Sequence, residues 1–560
     1  MRARLFSMLL FAALTLPACA GGPTGSLSGA GPSAAPSAPT RLVAAIRSAP
    51  PTMVSYYNTI TPGSAYMGRL VMSGLTVEDD QGARLPHLAE NVPTTDNGLW
   101  KVLSDGTMET TWVIRRGASW HDGTPFTSTD LAFTGRVQQD AELPEFANAA
   151  FRFVSSIETP DARTLVVRWK SPYIDADALF STAPLPKHLL EPPWLNERKD
   201  TFSRLPYWTE EFVGTGPFKI REFHQGDKAL LEAFDGYALG RPKIDAIEVR
   251  FIPDANTLSA NILAGEVQLT LGLKNFSGEE AKTLSERWTG GKVVPADVTT
   301  VVGYMQQVSP SPPAFARVEF RRALMHALDR QLLADTFEGG LGIVPHGLFS
   351  PDQPEYTDIP AAKIVRYDYD PRRAAQLIES VGLIRGPDNT WRDGSGSVVE
   401  IEVRSNTTAT NQTAMLFTAD QWRAAGLDAK PNVIPQALSL DPTVRATYPA
   451  IEILGSTGGK RVNVLKSEYV RLPENNFRGQ GGATNYPRVM DPRIDELTDR
   501  YNSTIPWGPR MEVAGDLLHF MTDQVVTVGL TYTSDGNMVS SRLQNNSFRV
   551  WNAHQWEVRN

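Results

Sequence analysis

At 560 residues the chain is longer than one hydrophobic core can organise, which points to two or three domains. Apolar residues make up 41% and aromatic residues 9%, enough to build those cores. The formal net charge of −8, with both signs interspersed, excludes the basic footprint of a nucleic-acid-binding surface, and no stretch beyond the N-terminal segment approaches the roughly 18 uninterrupted apolar residues of a membrane helix.

In the N-terminal segment, Arg2 and Arg4 precede an apolar run from Leu5 to Leu16, which leads into Pro17-Ala18-Cys19. A short basic stretch, an apolar stretch too short to span a bilayer and small residues at a cleavage point mark a secretory signal. Small residues followed at once by Cys resemble the lipobox of bacterial lipoproteins, where the thiol is acylated and the Cys becomes the new N-terminus. The competing reading is an ordinary signal with an incidental Cys. Cys19 is the only cysteine in the chain, and a protein of an oxidising envelope that needs no disulfide does well to carry no other thiol. The expectation is a signal over 1–18, lipidation at Cys19 and a Gly/Pro/Ser-rich tether over 19–39, with the body in water outside the cytoplasmic membrane.

The globular part begins with a strand-like run, Arg41 to Ile46, stopped by Pro50-Pro51. From there to about residue 300, short β-type runs alternate with turns; Thr111 to Arg115, Thr164 to Trp169 and Ala246 to Ile252 are examples. One helix start stands out, where Thr127-Ser128-Thr129-Asp130 has capping-box spacing. Beyond 300 strands alternate with helices. Phe320, Ala323, Leu324, Ala327 and Leu328 share a helical face. Asp370-Pro371 and Asp491-Pro492 each place an N-cap before a first-turn proline, and Gly382 ends the first of these helices. Val398 to Val403 and Ile451 to Leu454 read as strands between them. Two textures, joined near 300 and again near 525, suggest two lobes with a cleft between.

Several blocks are more specific. Trp112-Val113-Ile114-Arg115-Arg116-Gly117 runs into Trp120-His121-Asp122-Gly123-Thr124-Pro125-Phe126-Thr127. Gly214-Thr215-Gly216-Pro217-Phe218, Gly236-Tyr237, Arg241 to Asp245 and Phe251-Ile252-Pro253-Asp254 follow. Then come Phe320-Arg321-Arg322-Ala323-Leu324, Ala327-Leu328-Asp329-Arg330, Tyr369-Asp370-Pro371 and Gln421 to Leu427. In this order and spacing, across roughly 40–535, the blocks resemble the extracellular solute-binding proteins of ABC importers, in the oligopeptide, dipeptide and nickel family (family 5). The chain departs from the family at Gly265-Glu266-Val267-Gln268, at Gln306-Gln307 and at Gly455-Ser456-Thr457-Gly458-Gly459, where no ligand-amine Asp can be placed; this puts a peptide ligand in question.

Taken by themselves, the same blocks have structural explanations. A lone His with one Asp supplies too few ligands for zinc, so His121-Asp122-Gly123 reads as a turn. Gly214-Thr215-Gly216-Pro217 has no Lys-Ser/Thr behind it and reads as a tight strand entry rather than a phosphate cradle. No nucleophile elbow or zinc-protease motif occurs. Trp422 reads as core.

The resemblance implies a two-lobed α/β fold of the periplasmic-binding-protein type. Lobe I would take residues 40–300 and 526–560, with an extra subdomain over about 91–205, and lobe II residues 301–525. It implies capture of a peptide or similar small solute and delivery to an ABC permease with its ATPase subunits, by a monomer with no cofactor and no catalysis. By position in the family's architecture, Tyr56, Tyr57, Tyr304, Arg404, Asn406 and Ser456 are candidate solute contacts, with Arg404 the candidate partner of a peptide carboxylate. An envelope hydrolase, or a sensory or structural lipoprotein on the same fold, are the alternatives.

Overall fold

The computed structural model describes residues 39–53, 64–272, 275–276, 278–338, 343–351, 353–439, 441–457, 462–477 and 484–559. Cys19 and the tether, and with them Tyr56 and Tyr57, lie outside the described residues.

Residues Thr40–Asn560 form one compact unit built on a ten-stranded mixed sheet. From one edge, its strands are Asp428–Val433, Glu400–Ser405, Ile451–Thr457, Gly291–Met305, Thr527–Ser540, Leu269–Thr270, Arg41–Ile46, Ala246–Phe251, Lys228–Ala233 and Phe218–His224. Gly291–Met305 and Thr527–Ser540 are the long members and are antiparallel to each other. Gly291 to Pro295 pair with Ser540 to Gly536, beside the strand Leu269–Thr270. Val298 to Tyr304 pair with Ser534 to Thr527, beside Ile451–Thr457. The register shifts between Pro295 and Val298, so the change of neighbour falls at an irregularity shared by both strands. The boundary at 525/526 read from sequence texture falls at the start of the returning strand, upstream of this change.

Each half has its own core. In the first, Leu42, Ala44 and Ile46 of the opening strand share one buried cluster with Trp112, Trp120 and Trp169. The same half carries a separate four-stranded antiparallel sheet of Trp100–Val102, Met108–Val113, Thr164–Trp169 and Val154–Glu158. In the second half, Val301 and Met305 on one face of the long strand pack under helices Val318–His326 and Ala409–Ala424. Trp422 is fully buried there and its indole N–H donates to the Leu324 carbonyl at 3.0 Å. The opposite face meets helix Trp507–Asp523, against which helix Pro492–Ser503 packs in turn. The halves also touch away from the sheet, where the Ile174 N–H donates to the Asn502 carbonyl at 3.0 Å.

The local start signals act as the sequence suggests. The Thr127 N–H donates to Asp130 Oδ2 at 2.8 Å ahead of helix Ser128–Gln138. Asp370 accepts from the Arg372 and Arg373 amides, and Asp491 from that of Arg493. The first half holds more helix than its texture suggests, including Ser64–Val71, Lys187–Asn196, Ala255–Leu263 and Gly278–Arg287. Pro192 and Pro193 inside the second of these mask its pattern.

Three family blocks turn out to be fasteners. His121 accepts the Gly214 N–H on Nδ1 at 3.1 Å and donates from Nε2 to the Gly216 carbonyl at 3.1 Å. Burial pushes its imidazole down to about 4, so it stays neutral and keeps that tautomer. A side chain on Gly214 would meet the Val71 carbonyl oxygen at 2.0 Å, so only glycine lets this segment lie on the end of helix Ser64–Val71. Arg321 donates from Nε and Nη2 to the Gln524 carbonyl, at 3.0 and 2.8 Å, and so caps helix Trp507–Asp523.

Candidate functional site

Along Gly291–Met305, successive side chains alternate between the two sheet faces. Val301 and Met305 go to the core under Ala409–Ala424, and Thr300, Val302 and Tyr304 go to the other face, where they floor a pocket. Thr527 and Gly529 of the returning strand extend this floor. Leu518, Met521 and Thr522 of helix Trp507–Asp523 form one wall, and Pro345 to Leu348 form another. Tyr486, Pro487, Val464 and Leu465 close the third side. Counted out to its open mouth, with the solvent space this takes in, the space is about 910 Å³. Its lining is mainly apolar with a few polar groups, as such pockets require.

Two residues shape the wall at Pro345. A side chain on Gly529 would meet the Pro345 carbonyl oxygen at 2.4 Å, so glycine is what lets that loop lie on the strand. Arg330 then ties the two together, donating from Nη1 to the carbonyls of Pro345 and Gly529 at 3.1 Å each, and from Nη2 to that of Tyr367 at 3.3 Å. Burial lowers this guanidinium only to about 10, so it keeps its charge. Burial, reinforced by Arg330 and Arg366, pushes the His346 imidazole down to about 4, so it faces the pocket neutral.

Beside the pocket, one row crosses three strands: Tyr304 is opposite Glu452, and Glu452 is opposite Arg404. Arg404 is not an open cleft residue. It is buried, and its Nη2 donates to the Val444 carbonyl at 2.6 Å and to Glu452 Oε1 at 3.2 Å. Its guanidinium carbon is 5.3 Å from the centroid of the Tyr448 ring. Arg445 reaches the other oxygen of Glu452 at 3.4 Å. Burial pushes the Glu452 carboxyl upward, and Arg445 and Arg404 pull it back in part. The Gln306 block that departs from the family pattern is also a knot here. Its Nε2 donates to the Tyr448 carbonyl at 2.6 Å, and its Oε1 accepts from Arg488 Nε at 2.9 Å.

The other candidates fall elsewhere. Tyr304 lines the pocket, with its ring centroid 5.9 Å from that of Tyr486. Asn406 is past the end of Glu400–Ser405, where its Oδ1 accepts from Asn411 Nδ2 at 2.9 Å and from the Thr408 amide at 3.1 Å. Ser456 is opposite Thr300 in the ladder, and its side chain lies outside the described residues. The structure thus gathers Tyr304 and Arg404 around Glu452 and leaves Asn406 at the strand end. Tyr448, Tyr486, Arg445 and Glu452 were missed in the sequence. A carboxylate inside the apolar run Ile451-Glu452-Ile453-Leu454 was the available signal. Among the described residues no group of three or more His, Cys, Asp or Glu side chains could hold a metal ion, and no helix is long and apolar enough to cross a membrane.

Residues 85–459 match the sequence profile of the bacterial extracellular solute-binding proteins, family 5. The chain is 27% identical to the oligopeptide-binding protein AppA of Bacillus subtilis over 398 residues, which is 70% of this chain and 67% of that one. It is 30% identical over 270 residues to a Brucella abortus protein named for peptide binding in an ABC transporter. That match spans 47% of each, so the chain covers about half the length of that relative. The solved structure of Bacillus subtilis AppA with a nonapeptide superposes with a TM-score of 0.72 at 20% identity, covering 93% of this chain and 100% of that one, a likeness of fold. The profile match spans well over half of the chain and agrees in order with the fasteners and strands above: this protein belongs to family 5 of the bacterial extracellular solute-binding proteins.

Proposed function

We propose that the protein is the solute-capturing subunit of an ABC importer, held outside the cytoplasmic membrane by acylation of Cys19. It takes up a peptide or similar small solute as a monomer, makes and breaks no bond, and hands the solute to a permease whose ATPase partners supply the energy. The observation that carries this reading is the pair of long strands Gly291–Met305 and Thr527–Ser540. They are the sheet's passage between the halves, they change neighbours at one irregularity, and one face of them floors the pocket. A body joined this way can close on a solute that touches both halves. Moving it from mostly open to mostly closed takes about 5 kcal/mol of preference for the closed form, which enclosure of a small solute can supply. Tyr304 is the candidate contact on the pocket floor. Arg404 acts at one remove, by holding Glu452.

The experiment is mass spectrometry of what leaves the purified protein on denaturation. X-ray scattering with and without the recovered solute then reads closure. A recovered peptide and a smaller radius of gyration on adding it back are expected. A solute confirmed by calorimetry that leaves the scattering curve unchanged would remove lobe closure from the mechanism.

A further inference from the structure

The end of the pocket at Pro345 holds polar groups that the fold does not use. His346 lines it half-buried, and its ring has no hydrogen-bond partner among the described residues. Pro345 rests on Gly529. Thr527, two residues before that glycine and on the same face of the strand, has a hydroxyl that is likewise unpartnered among the described residues. The neighbouring hydroxyls are spent. Thr522 Oγ1 donates to the Leu518 carbonyl at 2.7 Å, and the Tyr367 hydroxyl donates to the Thr522 carbonyl at 3.0 Å.

Charge at this end has one sign. Among the described lining residues there is no Asp or Glu, and Arg330 is the one charged side chain. Its guanidinium is held by the carbonyls of Pro345, Gly529 and Tyr367, and by no carboxylate among the described residues. Arg330 and Arg366 both oppose a proton on His346, and Asp368 offsets them only in part. A neutral imidazole offers one N–H donor and one acceptor nitrogen. An uncharged hydroxyl can answer either. A methyl or phenyl edge answers neither. An ammonium could reach the acceptor nitrogen, but it would shed its water beside a guanidinium that no carboxylate balances.

We propose that His346 is a specificity-determining residue of the pocket. It selects an uncharged hydrogen-bonding group at the tip of an apolar ring, a phenol above all, and the end it lines excludes an ammonium or guanidinium. Leu348, Met521 and Val365 take the ring. This rests on the solute-capture reading above and names the side-chain chemistry that it selects: a tyrosine-bearing peptide over a lysine-bearing one.

The test uses the full chain and three peptides, Ala-Tyr-Ala, Ala-Phe-Ala and Ala-Lys-Ala, titrated by calorimetry. The tyrosine peptide should bind about 3- to 10-fold more tightly than the phenylalanine peptide, the worth of one neutral hydrogen bond. The lysine peptide should bind at least about 30-fold more weakly than the phenylalanine peptide, from desolvation and like charge together. His346→Leu keeps the bulk and removes both nitrogens, so it should bring tyrosine and phenylalanine level; His346→Asn should keep part of the preference. Level binding of the tyrosine and phenylalanine peptides by the unaltered chain, a lysine peptide that binds as well as the phenylalanine one, or an undiminished tyrosine preference in His346→Leu would each overturn the proposal. The comparisons on the unaltered chain need no variant to fold. Ligand-observed NMR with p-cresol against toluene reads the same end without a peptide. A cresol preference that His346→Leu removes, with none of the three peptides bound, would leave the selective end standing and remove peptide capture. Peptides bound alike whatever their side chain would leave capture standing and sink the selective end, and no binding of cresol or of any peptide would sink it too.

Discussion

Replacing Glu452 by Gln keeps the side chain's shape and removes its charge. The carboxylate is 2% exposed and lies 3.2 Å from Arg404, itself 7% exposed, and 3.4 Å from Arg445. Without it, two guanidiniums face each other in a buried site with the Val444 carbonyl as the acceptor left to Arg404 among the described residues. Breaking a buried pair from one side costs about 3–5 kcal/mol, because the surviving charge stays out of water. With a urea dependence near ~3 kcal/mol per molar, the midpoint of the second half should fall by about 1–1.7 M. Hydrogen exchange read by mass spectrometry on the strand Glu400–Ser405 follows that half by itself, which avoids assuming one transition for the whole chain. Arg404→Met combined with Glu452→Gln should cost at least ~1 kcal/mol less than the two single changes added together. A Glu452→Gln midpoint within ~0.2 M of the parent would show that the pair is not desolvated, and the reasoning would fail.

Gly214→Ala would place a methyl 2.0 Å from the Val71 carbonyl oxygen, where backbone cannot yield, so a loss of about 3 kcal/mol or more is expected in thermal melts; a parent-like melt would contradict it. Burial holds the His87 imidazole down at about 4 while its unfolded value is 6.5. As pH falls the unfolded chain takes the proton first, so this contribution is full above 6.5 and drains away toward about 4, by roughly 3 kcal/mol in all. His87→Gln should flatten the dependence of melting temperature on pH across that window, and an unchanged slope would refute the assignment. Cys19→Ser should release the protein from the membrane fraction and leave solute affinity unchanged; a parent protein with no acyl chains by intact mass would remove the anchor.

Fold was legible in the sequence wherever a local rule sufficed. Asp370 and Asp491 cap their helices by bonds that span three and two residues, and Thr164–Trp169 needs only its alternation. Helix Lys187–Asn196 was not legible, because two prolines in its last turns look like a stop. Family resemblance supplied the long-range order, and geometry then explained why those residues recur together: His121 and Gly214 are 93 positions apart and joined by one hydrogen bond. The site was legible only in part. Tyr304 could be placed because its strand could. Arg404 was assigned an open end, while its actual partner Glu452 is 48 positions away on a strand whose register no local pattern fixes. Tyr486 and His346 sit in irregular segments, where position follows from packing and not from periodicity.

The sharing of Gly291–Met305 and Thr527–Ser540 also governs how the chain can be divided. Cutting between the halves does not trim a linker; it strips a strand of its ladder. A fragment ending near residue 290 would leave Leu269–Thr270 as an exposed edge without Thr527–Ser540, and a fragment beginning near 300 would leave the Met538–Ser540 end of the returning strand without its partners Gly291 to Val293. Bare edges of that kind pair with other chains. The halves should therefore aggregate when expressed apart and regain solubility when expressed together, since each carries what the other's edge lacks.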